Sequence, residues 1–93
     1  MAELSRVRLW AHALIRMHLD DSWTFGFDHA KTRAGLCNFT HKRITLSRHI
    51  TVMSEDDDVH QTLLHEVAHA IAGPKAGHGD AWKKVADELG YVG

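Results

Sequence analysis

The 93-residue sequence predicts an α+β domain, and three patterns carry that reading. Apolar residues recur at helical spacing over residues 3–19, and again from the acidic run at 55–58 to about Ala72. Aromatics alternate at period two in Trp23-Thr24-Phe25-Gly26-Phe27, and two more short apolar segments follow. Two histidines stand one helical turn apart in His65-Glu66-Val67-Ala68-His69. The expected architecture is an N-terminal helix, a small three-stranded antiparallel sheet, a helix carrying the histidine pair, and a C-terminal helix. Residues 1–93 make one domain, a length that folds alone around a modest core.

The first helix rests on the spacings Leu4, Val7, Ala11, Leu14 and Val7, Trp10, Leu14, Met17. Asp20-Asp21-Ser22 ends it. Residues 23–27 read as the first strand, and His29 to Arg33 as a polar turn. Ala34 to Phe39 and Arg43 to Ser47 read as two further strands, joined by Thr40-His41-Lys42 as a hairpin. Ser54 or one of the acids after it is expected to cap the next helix. Glu55, Asp56, Asp57 and Asp58 suit the positive end of that helix. Val59, Leu63, Val67 and Ala70 form one apolar stripe, directed away from His65. Gly73-Pro74 stops the helix, and a glycine-punctuated loop runs to Gly79. Asp80 is expected to cap a last helix with Trp82, Val85 and Leu89 on one face, ended by Gly90.

Composition narrows the function. The formal net charge is −1, so the whole molecule shows no bias toward polyanions. The single cysteine, Cys37, excludes an internal disulfide and a cysteine-based zinc finger or ribbon. No apolar leader or membrane-length span occurs, which predicts a soluble, cytoplasmic chain.

The H-E-x-x-H spacing points to chemistry. Residues i and i+4 of a helix share a face, so His65 and His69 can grip one metal ion. Glu66 flanks that position without ligating it and can serve as general base toward a metal-activated water. A catalytic zinc takes three protein ligands and keeps a fourth position open. His78 is the expected third ligand: it follows the helix stop by a few residues and sits between Gly77 and Gly79, which permit unusual backbone. His60 falls on the far side of the helix, and His12, His18, His29, His41 and His49 lack ligand spacing. Asp87 or Glu88 could accept the spare N–H of a ligating histidine. Tyr91, Arg33 and several histidines are available as oxyanion donors, with nothing in the sequence to choose among them.

Thr62 to Ala70, followed by Gly77-His78-Gly79-Asp80-Ala81-Trp82, resembles the SprT-like family of zincin peptidases, which includes the Spartan DNA–protein crosslink proteases. Upstream, Trp23 to Phe27, Arg33 to Cys37 and Ile44 to Ser47 fit the same pattern in order. The resemblance implies a minimal zincin fold, Zn2+ as cofactor, His65, His69 and His78 as ligands, and Glu66 as the catalytic base. Many members also carry a paired-cysteine zinc ribbon, and no such cysteines occur here.

The expected activity is therefore zinc-dependent endopeptidase action on a protein or peptide, with DNA-associated proteins as one target class and a specific repressor as another. The competing reading is a non-catalytic, zinc-stabilised module that binds nucleic acid or protein. Residues 29–49 hold Lys31, Arg33, Lys42, Arg43 and Arg48 and no acid, so this segment could track a phosphate backbone. Lysine and arginine also protect strand edges, which is the plainer explanation of the same residues. No membrane contact is expected, and the chain is expected to be a monomer.

Overall fold

Helix α1 (Leu4–His18) buries Val7, Ala11 and Ile15, one residue per turn, against the rest of the protein. The protein, described over residues 1–93 by a computed structural model, continues through β1 (Thr24–Asp28), β2 (Gly35–Asn38), β3 (Arg43–Ser47), α2 (Arg48–Met53), α3 (Asp56–Ala72) and α4 (Asp80–Leu89). The α1 stripe is centred one position away from the expected one. Ile15 takes an inner place, and Met17 is exposed. The Asp20 stop holds: the Asp20 carboxylate accepts from the Ser22 backbone N–H at 2.9 Å, and its bonds with Ser22 lower its pKa.

The sheet is mixed, not antiparallel throughout. Its order is β1-β3-β2, with β2 antiparallel and β1 parallel to the central β3. The β2–β3 hairpin forms as expected, turning through Lys42 at φ 49°. The surprise is β1, which pairs with β3 rather than with its sequence neighbour. Parallel strands need a crossover connection. Here residues 29–42, including β2 itself, supply it.

Side chains of β3 explain why it is central. Ile44 and Leu46 point into the main core, while Thr45 and Ser47 are buried on the opposite face. Thr45 Oγ1 donates to Asp28 Oδ2 at 2.7 Å, and Ser47 Oγ donates to the Ala30 carbonyl at 2.5 Å. The Ser47 N–H reaches the Ala34 carbonyl at 2.8 Å. These bonds strap the β1–β2 connection across the end of β3, and sequence alternation alone does not reveal them.

Helix α2 has no counterpart in the sequence reading. It is one short turn and a half capped by Ser47, whose Oγ accepts from the Ile50 N–H at 3.1 Å. Its β-branched residues disfavour helix locally, so capping and the burial of Thr51 decide. Ser54 closes α2 rather than opening α3, donating to the Ile50 carbonyl at 2.6 Å. The N-cap of α3 is Glu55, without a side-chain cap bond.

Helix α3 lays Val59, Leu63 and Val67 into the core with Phe25, Ile44 and Leu46, as its stripe requires. Leu63 is fully buried, and truncating such a residue to alanine costs about 2–5 kcal/mol. A second, smaller core joins α3 to α4 through Ala68, Trp82 and Ala86. This leaves one face of α3 open between β2 and α4. No helix is long and apolar enough to cross a membrane.

Candidate metal centre

The open face of α3 carries His65 and His69, with ring centroids 4.9 Å apart. His78 closes the third side, its ring 5.0 Å from His65 and 4.6 Å from His69. The loop that returns it is built from turns. Gly73 caps α3 at φ 96° and gives its N–H to the His69 carbonyl at 3.0 Å. Gly77 then adopts φ 54°, a left-handed conformation that glycine takes without penalty. Gly79 needs no such freedom: at φ −75° it is the N-cap of α4, a place expected for Asp80. Asp80 instead occupies the first turn, where its charge suits the helix dipole.

The three ring nitrogens converge. His69 Nε2 lies 2.9 Å from His78 Nε2, which lies 3.2 Å from His65 Nε2. Three nitrogens holding a tetrahedral zinc at 2.0–2.1 Å are spaced about 3.3 Å apart, close to these two separations, and all three ligand atoms lie within 4.8 Å of one another. His65, His69 and His78 could thus hold a metal ion between them. Burial, with the neighbouring histidines, lowers the pKa of His65 and takes that of His69 down to about 4. Neutral imidazoles offering lone pairs to one point are the donor set a borderline divalent cation needs.

Trp82 forms the wall behind the histidines. Its ring lies 4.8 Å from His65, 5.3 Å from His69 and 4.9 Å from His78. Its indole N–H donates to the His65 carbonyl at 3.3 Å. The sequence placed Trp82 on the apolar face of α4 but did not reveal this role. Asp87 and Glu88, considered as partners for a histidine N–H, are solvent-exposed on α4.

Glu66 is buried beside the triad, with 7% of its surface exposed. Burial pushes its pKa up to about 7, opposed by the Arg33 charge. A divalent cation alongside would draw it back down. The carboxylate approaches the start of β2 so closely that a Cβ on Gly35 would stand 3.0 Å from Glu66 Oε2. A lone glycine in a strand pattern is the available signal for such an approach. Cys37, also on β2, is half-buried. Its thiol is pushed up to about 12 by burial and by the Glu66 charge, so it remains protonated near neutral pH.

Two clefts meet at Gly35, His65 and Glu66. One, of about 350 Å³, runs past His69, His78 and the β2 residues Leu36 and Cys37. The other, of about 590 Å³, runs past Asp58, Thr62 and Tyr91. Tyr91 packs edge-on to His65 at 5.4 Å. Arg33 is engaged by Asp28 at 3.3 Å.

The five basic residues considered for DNA contact are all exposed but are dispersed. Lys31 and Arg33 follow β1, and Arg48 opens α2. Lys42 and Arg43 lie at the other end of β3.

A family model described as the SprT-like family matches residues 7–93. The match spans nearly the whole chain, and the chain belongs to the SprT-like family. No curated protein matches it.

Proposed function

We propose that this member of the SprT-like family is a zinc-dependent endopeptidase with Glu66 as its general base. One observation carries the proposal: three converging imidazoles, two from α3 and one from the loop after it, lie beside the buried Glu66 carboxylate where two clefts meet. Zinc, held by the Nε2 atoms of His65, His69 and His78, would supply Lewis-acid polarisation of a carbonyl and acidify a water.

The remaining work falls to the chain's own residues. The buried Glu66 carboxylate can take a proton from the attacking water and return it to the leaving amine. Strand β2 is a sheet edge along the cleft, so an extended peptide can pair with it and bring a carbonyl past Glu66. This favours unfolded or loosely folded substrates. The two clefts would then receive residues on either side of the scissile bond. Tyr91 lines the cleft and Arg33 is held by Asp28, so Tyr91 is the better-placed donor to an oxyanion.

The test compares the zinc-loaded chain with Glu66→Gln on an unfolded protein such as casein. The variant should keep one zinc and lose about a hundred- to ten-thousandfold in rate. A zinc-loaded wild type that cleaves nothing, or a variant that cleaves as fast, would overturn the proposal. The first outcome would leave the zinc structural.

A further inference from the structure

The two clefts that meet at Glu66 differ in chemistry. The larger one carries a charge of its own, Asp58, and polar side chains from Gln61, Thr62 and Tyr91. Gln61 also holds one wall of it in place. Its Oε1 accepts from the Val92 N–H at 2.8 Å, and its Nε2 donates to the Gly90 carbonyl at 3.5 Å. The smaller cleft, of about 350 Å³, is lined by Glu66 and the three histidines and by no other charged or hydrogen-bonding group except one thiol. Its remaining side chains are Leu36, Cys37, Phe39 and Pro74, and its other lining residues are glycines.

The strand register says what a bound peptide meets there. Gly35 pairs with Leu46 and Cys37 with Ile44, and both partners belong to the core packed by α3. Paired residues share a face of the sheet, so Gly35 and Cys37 face α3. The far edge of β2 is unpaired, and a strand added to it sends every second side chain to that same face. At Gly35 the Glu66 carboxylate fills the space, since a Cβ there would stand 3.0 Å from Glu66 Oε2. Two residues on, about 6.7 Å along the strand, the edge presents the Cys37 thiol. Here the cleft lies open between Cys37, Phe39 and Pro74. A side chain entering it belongs to a near neighbour of the bond beside Glu66.

We propose that this cleft is a specificity subsite for an aliphatic substrate side chain next to the scissile bond, with Cys37 as its floor. The inference deepens the endopeptidase reading and rests on zinc at the three histidines. An aliphatic group removes apolar surface from water on Leu36, Cys37, Phe39 and Pro74. A charged side chain there would lose hydration and meet the same four residues, with no free counter-charge among them. The larger cleft, with Asp58 and its polar wall, imposes no such demand.

The test is titration calorimetry of peptide hydroxamates into the zinc-loaded chain, because their binding needs no turnover. Two series are used, with the peptide on either side of the hydroxamate. In each, the adjacent side chain is that of leucine, alanine, lysine or glutamate. In the series that reaches the smaller cleft, the leucine probe should bind at least about tenfold tighter than the lysine and glutamate probes. Cys37→Leu, with folding checked by its melting curve, should weaken the leucine probe about tenfold and leave the alanine probe within about twofold. Pro74→Glu, at an exposed position, should raise the affinity of the lysine probe relative to leucine. Asp58→Asn, in the other cleft, should leave the order unchanged. Equal affinities in both series, an order untouched by Cys37→Leu and Pro74→Glu, or an order reset by Asp58→Asn would each overturn the subsite. Protein that binds the probes in the expected order but cleaves nothing would keep the subsite and overturn the endopeptidase reading. Protein that cleaves but shows no order would do the reverse.

Discussion

Along the β2 edge of the sheet, three imidazoles aim their Nε2 atoms at one another with a buried carboxylate behind them. Along the β1 edge, three guanidiniums lie exposed in a groove with no carboxylate in reach. Both arrangements are incomplete by the chain's own resources, and in opposite senses. Converging lone pairs call for a cation, and unpaired guanidiniums call for an anion. The cleft at β2 removes water from its groups and shifts their protonation, which suits bond-making. The groove at β1 leaves its guanidiniums exposed to solvent.

The sharpest way to separate the two regions is to remove a ligand. His69→Ala should lower zinc affinity by more than about a hundredfold, beyond the effect of losing an outer-shell partner, as read by competition with a chromophoric chelator. Unchanged zinc affinity would remove His69 from the ligand set.

Acid–base behaviour should also divide them. In chelated protein, the pKa of Glu66 is raised from the usual 4.5 to about 7, so ionising it opposes folding. The stabilising contribution of its protonated form is complete below pH 4.5 and is lost as pH rises through 7. Glu66→Gln should therefore melt higher than wild type above pH 7, by up to about 3 kcal/mol, with the advantage vanishing below pH 4.5. His69 acts with the opposite sign. Its pKa is depressed from 6.5 to about 4, so stability is present above pH 6.5 and lost as pH falls toward 4. Melting curves of chelated protein across this range check both.

Packing gives a smaller effect. Gly35→Ala places a methyl 3.0 Å from Glu66 Oε2, Leu46 Cδ2 and Thr62 Cγ2, so it should destabilise by about 1–3 kcal/mol in urea unfolding. It should disturb cleavage while leaving the β1 groove intact. Smallest is Arg6→Ala, which removes the exposed Arg6–Asp56 pair at 2.9 Å and should cost at most about 1 kcal/mol.

The convergence of the three histidines was legible because its parts are local. His65, Glu66 and His69 sit within two turns of one helix, and His78 follows a Gly-Pro stop. The hairpin after Gly35 and the Asp20 helix end were legible for the same reason. What depends on distant partners was not. The parallel pairing of β1 with β3 rests on Thr45–Asp28 and Ser47–Ala30 bonds, each spanning 17 positions. Helix α2 contradicts its own β-branched composition and depends on Ser47 as cap. The β1 groove joins Arg8 and Arg16 to Arg43 only through the fold, so the basic run at residues 29–49 gives no sign of the part α1 plays.

Where a metal binds decides whether the three histidines are a ligand set. Anomalous diffraction at the zinc edge, from crystals of the zinc-loaded chain, should show one ion. It should lie about 2.0–2.1 Å from the Nε2 atoms of His65, His69 and His78, with the fourth position open toward the cleft. A zinc ion held elsewhere, or by only two of the three histidines, would contradict it.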